Sequence, residues 1–155
     1  MNDEAIGAIK IKDGLFIGDE FASQVSSNRH LSIKDLEFIF ANKVTRVINC
    51  AGRQLSNLWE NIGVIYLTFN WQDVENQMLF DKEDRVTSQI FDFIEKANDS
   101  AESVLIHSVR GQSRSSTALA SYLMRKYKWS LIKTLEFVNS RRPDLEIRAS
   151  FIQQL

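Results

Sequence analysis

Cysteine occurs once, as Cys50, and proline once, as Pro143, among 155 residues. A lone thiol excludes an intramolecular disulfide and any cysteine-rich zinc site. It makes a reducing, cytoplasmic setting the simple expectation. A lone proline excludes a proline-rich linker, so one domain over residues 1–155 is expected. Histidine is confined to His30 and His107. With none after Ser113, a serine-hydrolase triad in its usual chain order is excluded. The net charge of −1 predicts no chain-wide nucleic-acid interface, so any anion site must be local. No apolar run reaches membrane-spanning length and the N-terminus lacks a signal-peptide pattern, so no membrane partner is expected. Gly-Lys-Ser/Thr is absent, which removes a nucleotide P-loop. What remains is a globular composition, 44% hydrophobic and 25% charged, in a chain long enough to bury a core. Phe151 to Leu155 is still patterned like structure, which suggests one domain of a longer, multidomain chain.

Ala8 to Lys12 and Leu15 to Ile17 flank the Asp13-Gly14 turn signal, which predicts a hairpin. A helix is expected from Ser32 to about Asn42, with Asp35 completing a capping box and Leu31 and Leu36 a hydrophobic staple. Its inward face is read as Leu36, Ile39 and Phe40. Val44 to Cys50 and Val64 to Phe69 read as strands, and Cys50 as a small buried apolar residue. Asn70 to Phe80 reads as a polar loop with Trp71 exposed. Val86, Ile90, Phe93, Ile94 and Ala97 mark one face of a helix over about 82–98. Val104 to His107 is a short apolar strand of the kind found at a sheet centre. Helices are expected over 113–128, over 130–141 with Leu131, Ile132, Leu135 and Val138 inward, and near 149–155. Alternating strands and helices predict an α/β fold around one mixed sheet of about five strands, flanked by helices.

The chemistry concentrates between Ser103 and Ser116, where a strand enters a short polar loop and the loop enters a helix beginning at an arginine. Successive backbone N–H groups in this tight loop can converge on one anion as a nest. The helix N-terminus adds its dipole and free N–H groups. Gly111 permits a backbone conformation that a side chain penalises. Arg114 offers a planar fork for two phosphate oxygens. Ser108 stands at the mouth of this cradle. No metal or cofactor is implied, because N–H groups and a guanidinium suffice for a phosphate dianion.

Residues 107–115 resemble the signature of cysteine-dependent protein phosphatases, His-Cys-x5-Arg-Ser/Thr, with His107, Gly111, Arg114 and Ser115 matching. The Ser113-Arg114-Ser115 ending is similar to the dual-specificity branch. Gly14 to Gly18, Val44 to Ala51, Arg142-Pro143 and Phe151 to Leu155 also resemble segments of that branch, so the likeness covers almost the whole chain. It implies a protein tyrosine phosphatase-like fold and a phosphorylated protein as substrate or ligand. It also implies that Ser108 occupies the nucleophile's position. Arg114 matches the residue that binds phosphate and the transition state, and Ser115 the hydroxyl that assists breakdown of the intermediate. The resemblance further implies a main-chain phosphate cradle over Val109, Arg110, Gly111, Gln112, Ser113 and Arg114.

A general acid for the leaving group needs a carboxyl on a loop beside the cradle. Asp73 is the candidate, with Asp81 and Asp84 as fallbacks that also suit the start of the next helix. His107 follows strand alternation away from Ser108, so it is expected buried, supporting the loop. His30 is expected at the surface. Arg141 and Arg142 could rim the pocket, but a solvated helix end that complements the dipole is the reading taken.

Serine at position 108 changes the expectation for turnover. A cysteine thiol near ~8.5 falls to ~3.5–7.5 in a cationic helix-terminus site. A hydroxyl starts nearer the ~15.7 of water, and a drop of ~5 units still leaves only about two parts in ten thousand ionised at pH 7. The chain as written is therefore expected to bind phosphorylated ligands and turn them over negligibly. Two origins fit: a cysteine replaced to trap substrate, or a gene encoding serine, which gives a natural pseudophosphatase that reads phosphoproteins. A lipid or RNA-end phosphatase would favour more loop cations, and only Arg110 is extra here.

Overall fold

The structure, a computed structural model, describes residues 8–19 and 33–155, apart from the side chains of 33–36. Asp13-Gly14 makes the expected turn, with Gly14 at φ +81°. It folds β1 (Ala8–Lys12) antiparallel onto β2 (Leu15–Gly18), pairing Ala8 with Gly18 and Ile9 with Ile17. β2 then pairs in parallel with β5 (Ser103–His107), and β5 with β3 (Val44–Asn49). β4 (Ile65–Thr68) pairs in parallel with β3. The result is a five-stranded mixed sheet of order β1-β2-β5-β3-β4.

Strand alternation divides the core into two faces. Val104 and Ile106 of β5 point to one face, with Ile17, Ile48, Ile90, Ile94, Leu119, Leu123, Val138 and Phe151. Leu105 points to the other, with Phe16, Phe38, Ile39, Val47, Trp59 and Val64. All five residues of β5 are buried, as a central parallel strand requires. Each such aliphatic side chain contributes about 1.5–3 kcal/mol. The first face is covered by α2 (Arg85–Asp99), α3 (Arg114–Tyr127), α4 (Leu131–Arg141) and α5 (Ala149–Gln154). The second is covered by α1 (Ile33–Ala41) and a 3-10 segment at Leu58–Ile62 that sequence patterning did not anticipate. Among the described residues no helix is long and apolar enough to cross a membrane.

Several details differ from the sequence reading. α1 buries Phe38 and Ile39, while Phe40 is 69% exposed. The inward arc is set by the sheet: the Phe38 ring meets Phe16 edge-on at 5.3 Å, which turns Phe40 outward. In α4 Thr134 and Val138 are the fully buried residues and Ile132 is 70% exposed. Ser130 caps that helix, its Oγ accepting the Lys133 N–H at 3.1 Å, and this sets the helical phase. α2 begins at Arg85 rather than near Lys82. The Asp81 carboxylate accepts the N–H groups of Val86 at 3.0 Å and Arg85 at 3.1 Å, so two of the free donors of the first turn are satisfied there. The capping residues Ser32 and Asp35, the Leu31–Leu36 staple and His30 lie outside the described residues and side chains.

Candidate functional site

Parallel register brings the carboxyl ends of four strands level: Gly18 faces His107, His107 faces Asn49, and Asn49 faces Thr68. The loops leaving β5, β3 and β4 therefore meet at one edge of the sheet, where ligands bind in open α/β folds. The loop after β5 is the cradle. Gly111 adopts φ +70°, and a Cβ there would lie 2.6 Å from the Gly18 carbonyl oxygen. Only glycine fits so close to β2. The Ser108 N–H donates to that same Gly18 oxygen at 3.3 Å, which ties the loop to the strand.

Ser108 is 2% exposed, and its hydroxyl lies among donors. The Gly111 N–H donates to Ser108 Oγ at 3.2 Å, and Ser108 Oγ–H donates to Ser115 Oγ at 3.0 Å. Ser115 sits fully buried in the first turn of α3. Arg114, also buried, donates from Nη1 to Gln54 Oε1 at 2.7 Å and to the Trp71 carbonyl at 2.9 Å. Among the described residues Nε and Nη2 have no partner, which leaves them as the fork for an oxyanion. Burial pulls the Arg114 pKa down, yet a guanidinium stays charged at any physiological pH. In the rest of the cradle Val109 and Gln112 are half-buried, Arg110 is exposed and Ser113 is buried. The Gln112 amide reaches Asp144 at 3.3 Å.

His107 is buried as expected, and desolvation, with Arg114 as the smaller cause, pushes its pKa to about 3. Neither ring nitrogen has a hydrogen-bond partner among the described residues, so the neutral imidazole contributes packing beneath the loop. Cys50 is buried, and desolvation raises its thiol pKa well above the ordinary value.

Trp71 is a correction: it is 6% exposed, not an exposed loop residue. Its ring stacks on Phe69 at 4.4 Å and meets Phe80 edge-on at 6.3 Å, so the loop after β4 folds back over the sheet end. That fold-back carries Asp73 to the cradle, where it lines a cavity of about 260 Å³ with Arg110, Gln112, Ser113 and Arg148. Asp73 Oδ1 accepts from Arg148 Nε at 2.6 Å. Asp81 and Asp84 belong to the start of α2. Asp81 caps it, and those N–H bonds, led by Val86, hold its carboxyl below the usual range. Asp84 occupies the left-handed N-cap position at φ +58°.

Arg142 is a second correction. Only 6% exposed, it is not a solvated helix end. Its guanidinium donates to the carbonyls of Gly111 and, at 3.2 Å, Arg110. It also pairs with Asp144 at 3.0 Å. Turning two loop carbonyls toward Arg142 leaves the opposite sides of those peptides, the N–H sides, for the anion. Gln54, Arg148 and Asn49 were not foreseen as site residues. The Asn49 side chain donates to Leu55 O and Asn57 Oδ1 and accepts the Ala51 N–H, each at 2.9 Å, which shapes the loop that presents Gln54. A lone Asn closing an apolar strand was a readable signal, because a buried amide must be satisfied. Gln54 and Arg148 gave none, since their partners lie 60 and 75 residues away.

Comparison with known proteins shows the family and the fold. The family model "Dual specificity phosphatase, catalytic domain" matches residues 24–155. Protein phosphatase Slingshot homolog of Xenopus laevis is 30% identical over 121 residues, which are 78% of this chain and 17% of that protein. Dual specificity protein phosphatase 1 of Arabidopsis thaliana is 42% identical over 79 residues, 48% of this chain and 40% of that protein. The aligned part thus spans less than half the length of either relative. The crystal structure of human tyrosine phosphatase-like serine/threonine/tyrosine-interacting protein superposes with a TM-score of 0.81 at 19% identity, over 96% of this chain and 93% of the other. That similarity concerns the fold.

Proposed function

The chain belongs to the dual-specificity phosphatase family, and from that premise we propose that it is a protein phosphatase domain that, with Ser108, binds phosphorylated protein and turns it over negligibly. The observation that carries this reading is the convergence of the Gly111 N–H and Ser115 Oγ on Ser108 Oγ, at 3.2 and 3.0 Å, beside Arg114 and the N-terminus of α3. Such a cradle favours an anion whichever atom Ser108 supplies. Arg114 grips two oxygens of the phosphate, and the N–H groups from Val109 to Arg114 take the rest. Ser108 then faces phosphorus as a neutral hydroxyl.

With sulfur at 108 the same site supports phosphoryl transfer to the nucleophile, protonation of the leaving oxygen by Asp73, and hydrolysis of the intermediate aided by Ser115. With oxygen at 108 the first step lacks an ionised nucleophile, and a phosphoserine would be a poor leaving group in the second. The ligand is a phosphotyrosine, phosphoserine or phosphothreonine segment. The single buried thiol, Cys50, fits a reducing, cytoplasmic location. Ser108 itself favours a second reading, a natural pseudophosphatase acting as a phosphoprotein-binding module.

Restoring sulfur separates the two readings. A phosphatase scaffold becomes an active enzyme as Ser108→Cys, whereas a domain evolved only to bind gains affinity or nothing, and no turnover. The proposal for the chain as written fails if it hydrolyses a phosphotyrosine peptide at ordinary phosphatase rates with contaminants excluded.

A further inference from the structure

Arg148 stands at the N-cap of α5 and fastens two parts of the site together. Its backbone N–H donates to Ser113 Oγ at 3.1 Å, which anchors it to the wall of the cradle. From the same residue Nε donates to Asp73 Oδ1 at 2.6 Å and Nη1 to Glu75 Oε1 at 3.3 Å. The loop that carries the carboxyl is thus joined at two points to a residue fixed by its main chain to the phosphate site. Arg148 and Asp73 are each about one-third exposed (34% and 30%), so the pair contributes little to stability. Its value is orientational: a planar guanidinium fixes where a short carboxyl points.

We propose that Arg148 is a positioning residue for leaving-group protonation. By occupying Oδ1 of Asp73, it leaves Oδ2 as the oxygen that carries the transferable proton. As the bond from the nucleophile to phosphorus forms and the bond from phosphorus to the leaving oxygen breaks, that proton passes from Oδ2 to the leaving oxygen. The carboxylate produced keeps its hydrogen bond from Arg148. This inference rests on the reading of the cradle as a phosphatase site.

The test uses Ser108→Cys as the reference and compares two substrates. Tyrosine phenolate, with a pKa of about 10, needs a proton to leave. The far more acidic phenol of 2,4-dinitrophenyl phosphate does not. Added to the reference, Arg148→Ala is expected to lower kcat/KM for a phosphotyrosine peptide by roughly ten- to a hundredfold, part of the ~10²–10⁴ a general acid supplies. The loss on 2,4-dinitrophenyl phosphate is expected to be at least tenfold smaller, and turnover of that substrate reports an intact cradle. Asp73→Asn should give the same selective loss, and combining it with Arg148→Ala should add almost nothing, since both act on one proton transfer. Equal losses on the two substrates, full additivity, or no loss on the peptide overturns the inference while the enzyme reading stands. Inactivity of Ser108→Cys on both substrates overturns that reading and this inference with it.

Discussion

Replacing Ser108 by Cys exchanges one atom in a buried site already built around it. The parent Oγ meets the Gly111 N–H at 3.2 Å and Ser115 Oγ at 3.0 Å, and a thiolate would take charge-assisted hydrogen bonds from both. Each contributes about 1.5–3 kcal/mol in favour of the anion. Two together, ~3–6 kcal/mol, correspond to roughly 2–4 pK units at 1.36 kcal/mol per unit. A thiol near ~8.5 then ionises near ~4.5–6.5, within the range seen at helix N-termini. The same stabilisation applied to a hydroxyl near ~15.7 leaves it above ~11, with less than about one part in 10⁴ ionised at neutral pH. The ionised fractions differ by at least about 10⁴, equivalent to ~5.5 kcal/mol of barrier or more, and the greater nucleophilicity of sulfur adds to this. Steady-state release of p-nitrophenol at pH 6–7 should therefore rise by at least ~10³ in Ser108→Cys. A gain below tenfold, in a variant that still binds phosphopeptide, would refute the assignment of position 108 as the reacting atom.

Gly111→Ala should lose more than about 2 kcal/mol in thermal unfolding, through positive-φ strain and the Gly18 carbonyl 2.6 Å from the new Cβ, and should lose phosphopeptide binding; an unchanged melting temperature contradicts this. Arg142→Met strips partners from the Gly111 and Arg110 carbonyls and should cost about 2–5 kcal/mol, measured by denaturant titration, together with weakened phosphopeptide affinity. His107 predicts an acid-side loss of stability. Folded, it stays neutral down to about 3, whereas the unfolded side chain protonates near 6.5, so its contribution is complete above about 6.5 and declines as pH falls, by ~1.4 kcal/mol per unit. Between pH 6.5 and 5 that amounts to roughly 2 kcal/mol, and His107→Gln should flatten the slope; an equal slope in both proteins removes His107 as its source.

The cradle was legible in the sequence because it is contiguous. Residues 107–115 hold the strand end, the glycine at positive φ, the arginine and the second serine within one turn of chain. The sheet was legible for a similar reason, since the all-apolar Val104-Leu105-Ile106 can only be a strand buried on both faces. Helix phase was less so. Phe40 and Ile132 fit an apolar stripe as well as their neighbours do, and the partner surfaces decide which residue turns inward. Trp71 lies in a polar stretch, and its packing against Phe69 and Phe80, with the Arg114 bond to its carbonyl, makes it interior. Arg142, Gln54 and Arg148 act through partners distant in sequence, and no local pattern marks an arginine whose targets are carbonyls 31 and 32 residues earlier.

The central claim is that this cradle grips phosphate while oxygen at position 108 stops the chemistry. A phosphorus-31 NMR time course on a phosphotyrosine peptide with stoichiometric protein reads both halves at once. The account predicts a peptide resonance displaced by binding, restored to its free position in the Arg114→Met variant, and no inorganic phosphate over many hours. A growing inorganic phosphate signal, or a peptide resonance that never moves, would contradict it.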